Sequence, residues 1–154
     1  MHKVKDRVLV IGYGNPGRLD DGLGPALAAA LEAEGIPGIT VETRYQLSIE
    51  DAAAVAEHDC VIFADAARTG PEPFALERIA PAGPASFSSH AVKPEAILAL
   101  AEGSFGSTTK GYVLAVRGYS FDAFGESLSE KARKNLDSAI RFMREKLQDG
   151  GWNP

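Results

Sequence analysis

Cysteine is nearly missing from this chain: Cys60 is the only one in 154 residues. That excludes an intramolecular disulfide and a thiolate-built metal cluster, and it makes the cytoplasm the expected location. Long apolar runs are missing too, so no membrane-spanning helix is expected. Basic residues are in the minority, 16 Lys and Arg against 21 Asp and Glu, for a net charge of −5. With no basic stripe, neither nucleic acid nor an anionic membrane is an expected partner. The apolar run that follows residues 1–7 is cut short by Gly12, which argues against a secretory signal. Histidine occurs three times, so imidazole chemistry is limited to His2, His58 and His90.

What is present is an ordinary globular composition, 45% hydrophobic and 24% charged. The length fits one domain over residues 1–154, with residues 1–5 and 149–154 expected to be loosely ordered. Residues 7–11 form a β-branched apolar run that reads as a buried parallel strand. A glycine-rich acidic loop follows over residues 12–24. Pro25 then opens a helix that Gly35 ends. Further strands are expected at 39–43, 60–64, 74–79 (at an edge) and 112–116. Helices are expected from Ser48 through Ala56, over 93–102 and over 128–147. Ser48 is read as the cap of the first, with Asp51 completing a capping box, and Ser127 or Ser129 as the cap of the last. Strands alternating with helices give a mostly parallel sheet covered on both faces.

In such sheets ligands bind beyond the carboxyl ends of the strands. That rule selects the loop after the first strand, with Asp20 and Asp21, then Asp65 after the third, and Ser88-Ser89-His90 before a later helix. Carboxylates with one imidazole and no thiolate suit a divalent ion such as zinc, nickel or cobalt, with positions left open for water or substrate. Each residue also has a plain structural explanation. Asp20 and Asp21 suit a helix N-terminus, Asp65 suits a turn, and His90 suits a solvated loop. His2 and His58 are weaker candidates, and Cys60 reads as a small buried hydrophobe.

Gly12, Gly14 and Gly17 also spell G-x-G-x-x-G after a strand, with Glu42 where a ribose-binding acid would stand. This is the signature of dinucleotide binding and is the main alternative. Against it, the helix starts a full loop after Gly17, Pro16 has no N–H to offer a phosphate, and Asp20 and Asp21 would repel a pyrophosphate. A Ser–His hydrolase built on Ser88, Ser89 and His90 ranks lower, because no strained nucleophile elbow is present.

Residues 8–15, followed by Asp20-Asp21-Gly22-Leu23-Gly24, resemble the opening of the NiFe-hydrogenase maturation endopeptidases: an apolar strand, G-x-G-N, a spacer, and D-D-G-x-G. Asp65 at the end of its apolar strand, Ser89-His90 before a helix, and residues 118–129 resemble the family's later segments in order and spacing. The likeness spans roughly residues 8–147. It implies a three-layer α/β/α sandwich and a peptidase that removes the C-terminal extension of the hydrogenase large-subunit precursor after nickel insertion. It also implies that Asp21, Asp65 and His90 contact the metal. Gly12, Gly14, Asn15 and Asp20 would shape the substrate loop.

The chain departs from the family's glycine-rich segment after the second strand. Residues 44–50 stand there, with Gln46 in the recognition position, which leaves the hydrogenase class open. No nucleotide cofactor is expected. The ion would be nickel supplied by the substrate, read by a half-site, with Asp20 as a candidate acceptor for the proton of an attacking water. A non-catalytic metal carrier for hydrogenase assembly is a further alternative.

Overall fold

The computed structural model describes residues 6–83, 92–148, 152 and 154. The elements in order are β1 (Val8–Tyr13), a 3-10 turn (Leu19–Gly22), α1 (Leu23–Glu34), β2 (Ile39–Arg44), α2 (Asp51–Ala56), β3 (Cys60–Ala67), β4 (Phe74–Ile79), α3 (Pro94–Phe105), β5 (Lys110–Arg117) and α4 (Glu130–Gln148). The strands form one sheet in the order β2-β1-β3-β5-β4. All neighbours are parallel except β4, which runs antiparallel to β5 at one edge.

Side chains alternate across the pleat, and both faces are buried. Val8, Val10, Ile62, Ala64, Leu114 and Val116 face α1 and α4, where Leu27, Leu31, Ala139 and Met143 meet them. Leu9, Ile11, Val61 and Phe63 face α2 and α3, against Val55, Ile97 and Ala101. This is a three-layer α/β/α sandwich, as the alternation of elements predicts. It also explains why β1 and β3 read as continuous apolar runs.

α1 lies unusually close to the sheet because Gly12 and Gly24 meet. A Cβ on Gly12 would overlap the Gly24 carbonyl and the Ala28 side chain, and one on Gly24 would overlap the carbonyls of Tyr13 and Ala64. Two of the glycines in the loop region are therefore packing residues.

The structure departs from expectation in several places. α1 begins at Leu23, two residues before Pro25, and a 3-10 turn precedes it. Ser48 does not cap α2 with its side chain. Only the return half of the box forms, with the Asp51 carboxylate accepting from the Ser48 N–H at 3.0 Å. α3 runs through Gly103 to Phe105. The cap expected near the start of α4 is Ser129, whose hydroxyl accepts from the Ala132 N–H at 3.3 Å. Of the tail, Trp152 is buried, with its ring edge-on to Tyr112 at 5.4 Å and to Phe142 at 6.5 Å.

β1 leads outward to β2, whereas β3 leads to β4 and β5 on the other side. The crevice lies where these directions part, between the carboxyl ends of β1 and β3.

Candidate functional site

In the β1–β3 register Gly12 stands opposite Ala64, so Tyr13 and Asp65 follow side by side. Because Ala64 faces α1 and α4, Asp65 turns toward the α2–α3 side, where Tyr13 also packs. The Ala66 N–H donates to Asp65 Oδ1 at 2.7 Å, and the Tyr13 phenol lies beside the same carboxylate and favours its charged form. Burial pushes the Asp65 carboxyl up to about 6; those two groups offset part of this, and the neighbouring charge of Asp21 adds to it. Burial, then the charge of Asp65, drives the Tyr13 phenol far above its ordinary value, so it stays a proton donor.

Asp21 is held from the loop beneath it. Its Oδ2 accepts the Asn15 N–H at 2.8 Å, and Asn15 in turn accepts the Gly17 N–H at 2.8 Å. Gly14 sits at φ 141°, and a Cβ there would overlap the Asp21 carbonyl, so only glycine fits. Asp21, in the 3-10 turn after β1, and Asp65, near the end of β3, thus lie close enough at the crevice for the charge of Asp21 to act on Asp65. Both offer hard oxygen donors, which suits a divalent cation better than an anion.

Asp20, one residue away, points the other way and is fully buried. Its Oδ2 accepts from the N–H groups of Tyr119 (2.8 Å) and Ser120 (2.9 Å) and from the Ser129 hydroxyl (2.7 Å), and its Oδ1 accepts the Ser129 N–H at 2.7 Å. Burial alone would raise this carboxyl, but the hydrogen bonds from Ser129, Ser120 and Tyr119 outweigh it and hold the group below the usual carboxylate range. An acid so committed has no oxygen to spare for a water proton, which corrects the role considered for Asp20 from the sequence. It is a structural tie that locks the 3-10 turn to residues 119–129. Backbone bonds reinforce the tie: Leu19 N–H to the Gly125 carbonyl, and Gly125 N–H to the Gly17 carbonyl, each at 2.8 Å.

His90 lies outside the described residues, as do Ser88, Ser89 and His2. Among the described residues, no three of His, Cys, Asp and Glu gather to hold an ion. Gln46 stands exposed on the bend after β2. Beside it, Arg44 is clamped by Glu42 (3.1 Å) and Asp51 (3.2 Å). A groove of about 300 Å3 runs between Gly14, Pro16, Pro25 and residues 43–45. Cys60 is buried and its thiol is pushed up to about 11 by that burial, in keeping with a small core residue. His58 hydrogen-bonds the Ala54 carbonyl through Nδ1.

The glycine pattern is not arranged as a phosphate cradle. α1 starts well beyond Gly17, the Asn15 and Gly17 amides turn inward to side-chain oxygens, and Glu42 is paired with Arg44. Two residues that matter here escaped the sequence reading. Tyr13 would have required the β1–β3 register, and Ser129, the anchor of Asp20, is read from sequence only as a helix cap.

No family model matches the sequence, and no curated protein does. Solved structures do. A NiFe-hydrogenase maturation protease, HycI, from Thermococcus kodakarensis KOD1 is similar with a TM-score of 0.71 at 20% identity, over 94% of each chain. The hydrogenase 2 maturation peptidase of a Thaumarchaeota archaeon gives 0.66 at 21% identity, over 90% of this chain and 96% of that one. The hydrogenase maturating endopeptidase HybD of E. coli gives 0.63 at 19% identity, over 89% of each. From one end of the sheet to the other, this chain has the fold of the hydrogenase maturation proteases.

Proposed function

We propose that this chain is a processing endopeptidase that removes the C-terminal extension of a nickel-loaded NiFe-hydrogenase large-subunit precursor, with Asp21, Asp65 and His90 reading the metal. One observation carries the reading. Asp21 and Asp65 stand near one another at the β1–β3 crevice of a fold shared with hydrogenase maturation proteases.

The nickel in this scheme belongs to the substrate. Holding the Asp65 carboxylate out of water is costly, and the like charge of Asp21 adds a smaller part; the raised Asp65 carboxyl reflects both. A cation arriving with the precursor relieves this cost, whereas a precursor without metal brings nothing to offset it. Binding is thereby coupled to metal insertion. Docking on the ion holds the scissile bond against the crevice, a gain from proximity. A bound divalent ion supplies Lewis acidity toward water or a carbonyl. Tyr13 steadies Asp65 from one side, and the Asn15 amide steadies Asp21 from the other.

The test is incubation of the purified protein with the precursor in nickel-loaded and nickel-free forms, read by mass spectrometry. Loss of the C-terminal extension from the loaded form alone is the expected result. Cleavage of both forms would remove the metal-reading role. A loaded precursor that is bound but left intact would point to a carrier or scaffold instead.

A further inference from the structure

β2 is the outer strand of the sheet on the α1 side. Val8 donates to the Gly38 carbonyl at 3.2 Å, and Gly14 donates to the Arg44 carbonyl at 3.0 Å. Backbone groups of successive residues in a strand point to opposite sides, so these bonds fix the phase of the whole ladder. Thr40, Glu42 and Arg44 turn their N–H and C=O groups toward β1. Ile39, Val41 and Thr43 turn theirs to the outside.

Two of the outward groups are used locally: the Ile39 N–H reaches the Ile36 carbonyl at 3.4 Å, and the Thr43 carbonyl accepts from Arg44 Nη1 at 2.8 Å. The Ile39 carbonyl, both groups of Val41 and the Thr43 N–H have no partner among the described residues. Proteins normally blunt such an edge.

Hollows border this edge along its length. One of about 310 Å3 is lined by Gly35, Ile36, Ile39, Thr40 and Val41, among others. The groove of about 300 Å3 by residues 43–45 takes over where the first ends, and it leads across Gly14 and Pro16 at the end of β1. Gly14 packs directly on Asp21. The open edge therefore continues into a path to the crevice, whereas the opposite edge, β4, is separated from β1 by β5 and β3.

We propose that the outer edge of β2 is a docking strand for an extended segment of the substrate polypeptide. The segment pairs with Val41 and Thr43, then crosses the end of β1 at Gly14 to reach Asp21 and Asp65. This rests on the peptidase reading above. Strand addition supplies main-chain hydrogen bonds without regard to side-chain identity, and the flanking hollows take alternate side chains. A second copy of the chain pairing edge to edge would leave the path over Gly14 empty, which favours a peptide. Strands lie about 4.8 Å apart, so an added strand is about 14 Å from β3. An extended chain covers that distance in about four residues, which places the scissile bond about four residues from the paired segment.

The experiment uses the full chain and a labelled synthetic peptide spanning the cleavage region of the precursor. Binding is followed by fluorescence anisotropy, and amide exchange is followed at Val41 and Thr43. Both amides are expected to become protected when the peptide binds. Thr43→Pro removes the outward N–H at an exposed edge position, where proline is tolerated. It should weaken the peptide about tenfold, the effect of losing a backbone hydrogen bond and its immediate neighbour, whereas Thr43→Ala should bind as wild type.

Unchanged exchange at Val41 and Thr43 in a wild-type protein that binds and cuts would overturn the docking strand and leave the peptidase standing. Neither binding nor cleavage by the wild type would overturn both. Protection that rises with protein concentration in the absence of peptide would overturn the proposal in favour of self-association.

Discussion

Asp20 and Asp65 are acids within one small region at the carboxyl end of the same sheet, yet they are shifted in opposite directions. Asp20 is fully buried and lies below the usual carboxylate range, because four hydrogen bonds meet its charge. Asp65 is only partly buried and is raised to about 6, because fewer donors reach it and Asp21 adds a like charge. Burial pushes both upward; the number of donors decides the outcome. Asp20 is therefore a stabilising element, whereas the Asp65 carboxylate is unfavourable at neutral pH, chiefly because it is buried.

The largest expected effect belongs to the satisfied acid. Asp20→Ala strands the Ser129, Ser120 and Tyr119 amides, at about 1–3 kcal/mol for each buried group left unpaired. A loss on the order of 4 kcal/mol in urea unfolding at neutral pH is expected. Because the folded value is depressed, this contribution is present above the unfolded carboxyl value of about 3.9 and is lost as pH falls through the lower folded one. A variant within 1 kcal/mol of wild type (roughly the net worth of a single hydrogen bond) would erase the contrast between the two acids.

Next comes Asp21→Asn. It keeps the shape of the side chain and an oxygen for the Asn15 amide but removes the charge. Processing of nickel-loaded precursor should fall by about a hundredfold or more, roughly 2.7 kcal/mol of barrier, with the melting temperature nearly unchanged. His90→Ala should lose processing in the same way, and wild-type cleavage by either variant would sink the metal-reading assignment.

The smallest effect has the opposite sign. Asp65 has a raised folded value, so its penalty is absent below about pH 4 and complete above about pH 6. Asp65→Asn should therefore be more stable than wild type by about 2–3 kcal/mol at pH 8, converting a shift of roughly two units at 1.36 kcal/mol each. At pH 4 it should match wild type. Equal melting temperatures at both pH values would show that the crevice is not strained.

Much of this was legible in the sequence because parallel strands buried on both faces must be continuously apolar. The runs at residues 8–11 and 60–64 therefore gave the sheet, and the strand-end rule then reached Asp21 and Asp65. What stayed hidden depends on register and long-range contact. Nothing local distinguishes Asp20 from Asp21, since both follow the same leucine. The difference comes from residues 119–129, about a hundred positions away in the chain, which supply donors to one and not the other. Tyr13 was invisible for the same reason, because its meeting with Asp65 follows from the pairing of Gly12 with Ala64. The G-x-G-x-x-G motif is ambiguous in sequence because a glycine needed for the approach of α1 to the sheet, such as Gly12, looks the same as a glycine needed for a phosphate.

The bond from the Ser129 amide to Asp20 spans 109 positions. During synthesis Asp20 leaves the ribosome early and waits, charged and unsatisfied, until Ser129 follows it. The turn that carries Asp21 gains its last anchor only once the start of the final helix has been made. A chain that ends before residue 129 lacks the clamp on Asp20, which anchors the turn that carries Asp21.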